Sequence, residues 1–174
     1  MDAAITLCRI PLRRLNELAG LRQLPGQYAN DGADMILDDT PALSFHAIHA
    51  DGRLVGMFKL DPNYPERHAF AAPDDLGLRG VLIDVDFQGH GYGTAAMMVL
   101  PGYAAMNYPD KRRLFLTVNL LNPAAYMAYI KAGFVDEGQI YTGGSRGPQH
   151  ILWAHLPQTE KTPCSGKSSS PCSA

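Results

Sequence analysis

The sequence predicts an α/β domain with a mixed, largely antiparallel sheet of six or seven strands flanked by about four helices. Three observations carry that prediction. A β-branched run, Val81 to Val85, enters a turn with glycines at 89, 91 and 93, and a breaker-free helical run follows from Thr94 to Leu100. A second strand-like run, Leu114 to Val118, leads to Asn122-Pro123 and a helical stretch that Gly133 ends. The chain has 174 residues and 46% hydrophobic content, enough for one domain with a sizeable core.

From the amino end, Ile5 to Ile10 alternates as a first strand. Leucines at 12, 15 and 18 follow Pro11 as a helical stripe, and Ala33 to Asp39 suits a short second helix. Leu43 to His49 and Leu54 to Leu60 flank Asp51-Gly52, a dipeptide suited to a tight hairpin. His46 and His49 are three apart on a strand, so they face opposite sides and cannot share a metal. Residues 61–77 read as a long connection; Asp61, Tyr64, Glu66 and His68 gather there, and loops of that length are often functional. Val81 to Val85 is the fourth strand.

After the glycine turn, Pro101-Gly102 interrupts the helix, because proline lacks the N–H that would bond Met97, and a kink with resumption at Tyr103 is expected. Tyr108 to Lys111 forms a turn into the strand at 114. Asn122 is an N-cap with Pro123 in the first helical position, and the helix runs to about Lys131. Asp136 to Tyr141 and His150 to Leu156 are two closing strands, joined by a glycine-rich hairpin loop at 142–149. Residues 157–174 are too polar to bury apolar surface and are expected to be a disordered tail.

The glycine turn is the most informative stretch. A strand feeding a helix through glycines presents main-chain N–H groups with no intrahelical partner, at the positive end of the helix dipole, and attracts a phosphate. The spacing excludes two familiar phosphate loops. No Lys-Ser or Lys-Thr follows the last glycine, and the order is G-x-G-x-G rather than G-x-G-x-x-G, with Asp110 poorly placed for a ribose. Gln88-Gly89-His90-Gly91-Tyr92-Gly93 instead resembles the (Gln/Arg)-x-x-Gly-x-(Gly/Ala) signature of the GCN5-related N-acetyltransferases, the GNAT superfamily. Asn122, Ala125, Tyr129, Gly133 and Phe134 fall in register with the family's second cofactor motif, about 30 residues further on. The resemblance covers roughly residues 4 to 156 and is nearest to bacterial small-amine and polyamine acetyltransferases.

That resemblance implies a GNAT fold over 1–156, with the sheet splayed between its fourth and fifth strands. It implies acetyl-CoA as co-substrate, bound at Gln88, Gly89, His90, Gly91, Tyr92, Gly93 and Thr94, with its pyrophosphate on the amides from Gly89 to Thr94. The pantetheine arm would run beside the backbone of Leu82 and Ile83, where an N–H can also donate to the developing oxyanion, and Asn122 would touch the cofactor. Tyr129 is the expected catalytic acid, since a phenol of reference pKa ~10 stays protonated at neutral pH and can protonate a thiolate of pKa ~8.5. Gln27, Tyr28 and Asp84 are candidate substrate contacts. Asp84, Glu66 and His68 all remain open as the base.

The implied reaction moves an acetyl group to the primary amine of a small molecule in a ternary complex. Protein N-termini or lysines as acceptors, and a non-catalytic acyl-CoA sensor, are the alternatives. A net charge of −2 and a pI near 6.3 argue against nucleic acid or anionic lipid as partner. No apolar run approaches the ~20 residues of a membrane span, and Met1-Asp2-Ala3 does not begin a signal peptide. Cys8, Cys164 and Cys172 lack C-x-x-C spacing, which fits a reducing cytoplasm and no metal site. A homodimer is compatible with the sequence.

Overall fold

The computed structural model describes residues 3–158. The predicted tail from residue 159 on, with Cys164 and Cys172, lies outside the described residues. Seven strands form one sheet: β1 (Ile5–Ile10), β2 (Ser44–Ala50), β3 (Arg53–Asp61), β4 (Asp75–Ile83), β5 (Arg113–Asn119), β6 (Val135–Tyr141) and β7 (Gln149–His155). Their order is β1-β2-β3-β4-β5-β7-β6. Every neighbouring pair is antiparallel except β4 and β5.

Among the described residues the helices are α1 (Gly32–Met35), α2 (Tyr92–Asn107) and α3 (Pro123–Lys131), with a seven-residue 3-10 segment at Leu12–Leu18 and shorter ones at Tyr64–Glu66 and Val85–Phe87. The predicted first helix is therefore a 3-10 segment, and the predicted second is only a single turn. The fourth strand also differs from expectation. It begins six residues earlier, at Asp75, and stops at Ile83, where Asp84 Oδ1 accepts the Asp86 amide at 3.0 Å and turns the chain. Its first half hid in the sequence because Gly77 and Gly80 thin the β-branched pattern. Gly77 is required by packing: a Cβ there would lie 2.1 Å from the ring of Tyr64, which is fully buried over it.

The period-2 alternation of the strands divides the apolar residues between two cores. Phe58 faces α2, packing with Leu100, Leu114 and Leu152, whereas its neighbour Met57 faces Leu18, Leu21 and Met35. Each fully buried large apolar side chain contributes about 1.5–3 kcal/mol. That packing explains why α2 continues through Pro101, which costs an isolated helix about 3 kcal/mol. Met97, Leu100 and Ala104 are buried on either side of the proline. Beyond it, the hydroxyls of Tyr103 and Tyr108 tie the chain to His46 Nδ1 (2.7 Å) and Ser44 Oγ (2.6 Å) of β2. His46 is thus a core residue, and burial pushes its pKa down to about 3.

What positions the site is the seam between β4 and β5. These strands pair only at Asp75–Arg113, Leu76–Leu114 and Gly77–Phe115, then part. Arg113 clamps the joined end, donating from Nε and Nη2 to the two oxygens of buried Asp75 at 2.9 Å each. Beyond Gly77 the β4 edge faces no strand, which is the predicted splay.

Candidate active site

Two cavities open on the splay, of about 490 Å³ on the α2 side and about 420 Å³ on the opposite side. They share Tyr28, Ala29, Val81, Asn122, Ala125 and Tyr129 as walls. They are two ends of one cleft, with Tyr129 at the junction.

The α2 end is built from main chain. Gly89 and Gly91 both hold positive φ (78° and 79°), so the turn coils tightly into the helix. Gly91 is the left-handed N-cap, and an ideal Cβ there meets nothing within 4 Å; its missing side chain keeps space open in front of the turn. Among the described residues, the amides from Gly89 to Thr94 find no main-chain acceptor. No charged side chain lines this end. It is a neutral cradle of N–H groups at a helix N-terminus, suited to a polyanion.

Of the residues expected to hold the cofactor, Gln88, Gly89, Gly91, Tyr92, Gly93, Thr94, Ile83 and Asn122 line this end. The His90 side chain does not: its ring is exposed, stacked on Tyr92, with Nδ1 2.9 Å from the Gln88 carbonyl. The Leu82 side chain does not either. It pairs with Met57, and its side chain is fully buried in the core on the other face, because alternation puts Val81 and Ile83, not Leu82, toward the cleft. Gln88 and Gln27 exchange reciprocal amide hydrogen bonds of 3.0 Å, and Gln88 Nε2 also donates to the Ile83 carbonyl. Gln27 therefore lines the cleft as a brace for the glycine turn.

The helix α3 holds the junction. Asn122 Oδ1 accepts the Ala125 amide at 3.3 Å as N-cap. At the other end Gly133 adopts φ 93°, the Phe134 amide donates to the Tyr129 carbonyl, and the Gly133 amide to Ile130, a Schellman motif. The Phe134 and Tyr129 rings meet edge to face at 5.5 Å, so the helix terminus fixes the tyrosine. Desolvation raises the phenol's pKa well above its ordinary value, and Tyr129 keeps its proton. Tyr126 instead donates to Asp136 at 3.0 Å and leans on His150.

The far end is built from side chains. Tyr28, Tyr64, His68, Arg79, Tyr141 and Arg146 line it, from five segments of chain. His68 Nδ1 lies 3.2 Å from the Tyr64 carbonyl, which can only accept, so Nδ1 carries the proton and Nε2 keeps its lone pair. Burial is the main cause that moves its pKa below the usual histidine value. Arg79 is held beneath by the buried Asp61 (3.4 Å) and by Asp38 (3.6 Å).

Two further candidates from the sequence fall outside. Asp84 is 5% exposed and lines neither end; its Oδ2 accepts the Arg22 amide at 2.8 Å, so it is a cap and tie, and the expected substrate contact is corrected. Glu66 is exposed and also lines neither end. Arg79, Tyr141 and Arg146 were missed. Arg79 falls between the connection read at 61–77 and the strand read from Val81, Tyr141 ends a closing strand, and Arg146 sits in the hairpin loop at 142–149.

A family model described as the acetyltransferase (GNAT) family matches residues 15–134, more than two thirds of the chain. The chain belongs to the GNAT family. A curated relative, the uncharacterized N-acetyltransferase YbbJ of Bacillus subtilis, is 30% identical over 118 residues; the match spans 68% of this chain and 66% of YbbJ. Among solved structures, the aminoglycoside acetyltransferase AAC(6')-Ib in complex with coenzyme A and kanamycin superposes with a TM-score of 0.68 at 19% identity, covering 87% of this chain and 95% of that one. A point mutant of the spermidine N-acetyltransferase SpeG from Vibrio cholerae superposes at 0.62 with 16% identity, covering 87% and 94%. At such identities these two likenesses speak for the GNAT fold alone. The domain's residues fit the family's donor, acetyl-CoA: the amide cradle suits its pyrophosphate, and the unpaired β4 edge suits its pantetheine amides. No helix among the described residues is long and apolar enough to cross a membrane.

Proposed function

We propose that this GNAT domain acetylates the primary amine of a small molecule, directly from acetyl-CoA, with both substrates bound at once. The carrying observation is the two-ended cleft, whose neutral amide cradle and side-chain-lined far end meet at Tyr129. Acetyl-CoA supplies the thioester when bound. The amides from Gly89 to Thr94 hold its anionic part, and main-chain N–H groups of the open β4 edge can polarise the acetyl carbonyl.

The acceptor's amine must be neutral to attack. His68, which lines the far end and keeps the Nε2 lone pair free, takes the proton that the amine nitrogen sheds. The C–S bond breaks as the new C–N bond forms, and the Tyr129 hydroxyl delivers a proton to the departing sulfur. A dry setting raises the phenol's pKa but also the proton affinity of a thiolate beside it, so donation is not forfeited.

The test is turnover with acetyl-CoA and a panel of primary amines, read by release of free coenzyme A thiol and by the mass of the acetylated product. Amine-dependent thiol release with a matching acetyl-amine is the expected result. Calorimetric acetyl-CoA binding without turnover of any amine would overturn the catalytic reading in favour of a sensor.

A further inference from the structure

The far end of the cleft carries a charge pattern that the glycine turn and Tyr129 leave unexplained. No Asp or Glu lines it, while two arginines do. An acceptor with several amines presents several cations, and its recognition calls for carboxylates in the wall. Here the wall would repel them. The charge beneath the floor does not reverse this. Arg79, Lys59 and Arg67 share two carboxylates, Asp38 and Asp61, so three cations face two anions.

Arg146 is the uncompensated group. It projects from the loop between β6 and β7, and its Nη1 donates to the Tyr28 carbonyl at 2.9 Å while Nη2 lies 3.4 Å from Asn30 Oδ1. Both acceptors are neutral. Among the described residues no carboxylate stands within ion-pair distance of it. A guanidinium has five N–H donors, so this one keeps three, in a planar fork that fits a carboxylate edge-on. Tyr64 and Tyr141, which also line this end, are aromatic, and His68 stacks on Tyr64 with its basic nitrogen free.

Building on the proposed acetyl transfer, we infer that the acceptor is an amino carboxylic acid with an apolar or aromatic remainder, whose carboxylate is bound by Arg146. This departs from the polycationic ligands named for the structural neighbours. The carboxylate on Arg146 anchors the molecule, the aromatic walls take its side chain, and the amine is left toward His68 and the Tyr129 junction. Arg146 bridges two loops as well as binding, so its role must be read from a ratio rather than from a loss.

The experiment uses matched pairs that differ only in the carboxylate: phenylalanine against phenylalaninamide as acceptors, with spermidine and kanamycin as polycation probes. For wild type the expected kcat/KM is about 10–100-fold higher for the acid than for the amide, the usual worth of a charge-assisted hydrogen bond expressed as a ratio. In Arg146→Gln that ratio should fall to near one while the amide is still turned over, and Arg146→Lys should keep part of it. Faster turnover of spermidine or kanamycin than of the acid, or an unchanged ratio in Arg146→Gln, would overturn the inference. Binding of N-acetylphenylalanine against its amide to the protein loaded with coenzyme A separates recognition from chemistry. A preference abolished by Arg146→Gln supports the carboxylate site even where no amine is acetylated, and then only the catalytic reading fails. Equal binding of acid and amide rejects the site whatever the turnover.

Discussion

The two ends of the cleft recognise by opposite means. The α2 end offers main-chain amides and no charge; the far end offers arginines, tyrosines and a histidine from five segments. A main-chain cradle depends on backbone shape, so it writes itself into the sequence as glycines at fixed spacing. A side-chain site depends on which strands and loops converge, and nothing local announces it. For that reason the donor side of a GNAT domain can be read from a motif and the acceptor side cannot.

Tyr129 stands where the ends meet, and removing its hydroxyl is the largest expected effect. Tyr129→Phe should lower the single-turnover rate by about 10²-fold or more while acetyl-CoA affinity hardly moves, since the ring and its contact with Phe134 remain. A Phe variant with the wild-type single-turnover rate would detach the chemistry from the junction of the two ends.

His68 belongs to the far end alone. Its pKa is depressed, so it is neutral and able to accept a proton above that value and protonated below it. The wild-type kcat/KM should climb with pH through a value below 6.5 and then flatten for that group. His68→Gln should lose about 10²-fold near neutrality and lose that lower limb, with acetyl-CoA binding intact. A limb that survives the substitution assigns the base elsewhere.

Gly91 belongs to the α2 end alone. Gly91→Glu adds a carboxylate to the cradle and forces a side chain onto φ 79°. Acetyl-CoA affinity, measured by calorimetry on folded protein, should fall about tenfold or more, roughly 1.4 kcal/mol, with acceptor affinity little changed. Unchanged donor affinity would mean that the turn does not hold the pyrophosphate.

His46 belongs to neither end and reports on the scaffold. Its folded pKa of about 3 lies below the unfolded value near 6.5, so the unfolded chain binds the extra proton between them. Its contribution is fully present above pH 6.5 and lost as pH falls toward 3, by up to about 1.4 kcal/mol per unit. Urea unfolding of His46→Gln at pH 7, 6 and 5 should show a shallower loss than wild type. Parallel losses would rule His46 out as a source of acid sensitivity.

Much of the scaffold was legible because local chemistry determined it. Asp51-Gly52 predicts the β2–β3 turn, where both residues hold positive φ. Asn122-Pro123 and Gly133 bracket α3 within a residue. Where tertiary packing overrode local signals, the reading failed. Asp75 to Gly80 has two glycines and two charged side chains, yet it is a strand, because Asp75 is clamped by Arg113 and Gly77 is covered by a tyrosine ring. Asp84 looked like a free carboxylate beside the turn and proves to be spent on the Arg22 and Asp86 amides. The expected role of Leu82 lay in its backbone, and the alternation adds only that its side chain faces the core on the other side of the sheet. Arg146 reaches a neighbour 118 positions away in the chain, which no window of sequence contains.

The parting of β4 from β5 also has a consequence for self-association. A strand with unpaired main-chain groups is normally a hazard at the rim of a sheet, since another protein's strand can add to it. Here the bare edge runs from residue 78 to 83 inside the sheet, and the flanking strands converge at Gly77 and Phe115 into a wedge. A polypeptide strand needs nearly 5 Å on each side along its whole length, which a closing wedge denies it. A slender chain with a few amides, tapering into the apex, has no such requirement. The molecule thereby keeps a template for pairing in its middle without exposing itself to its own kind.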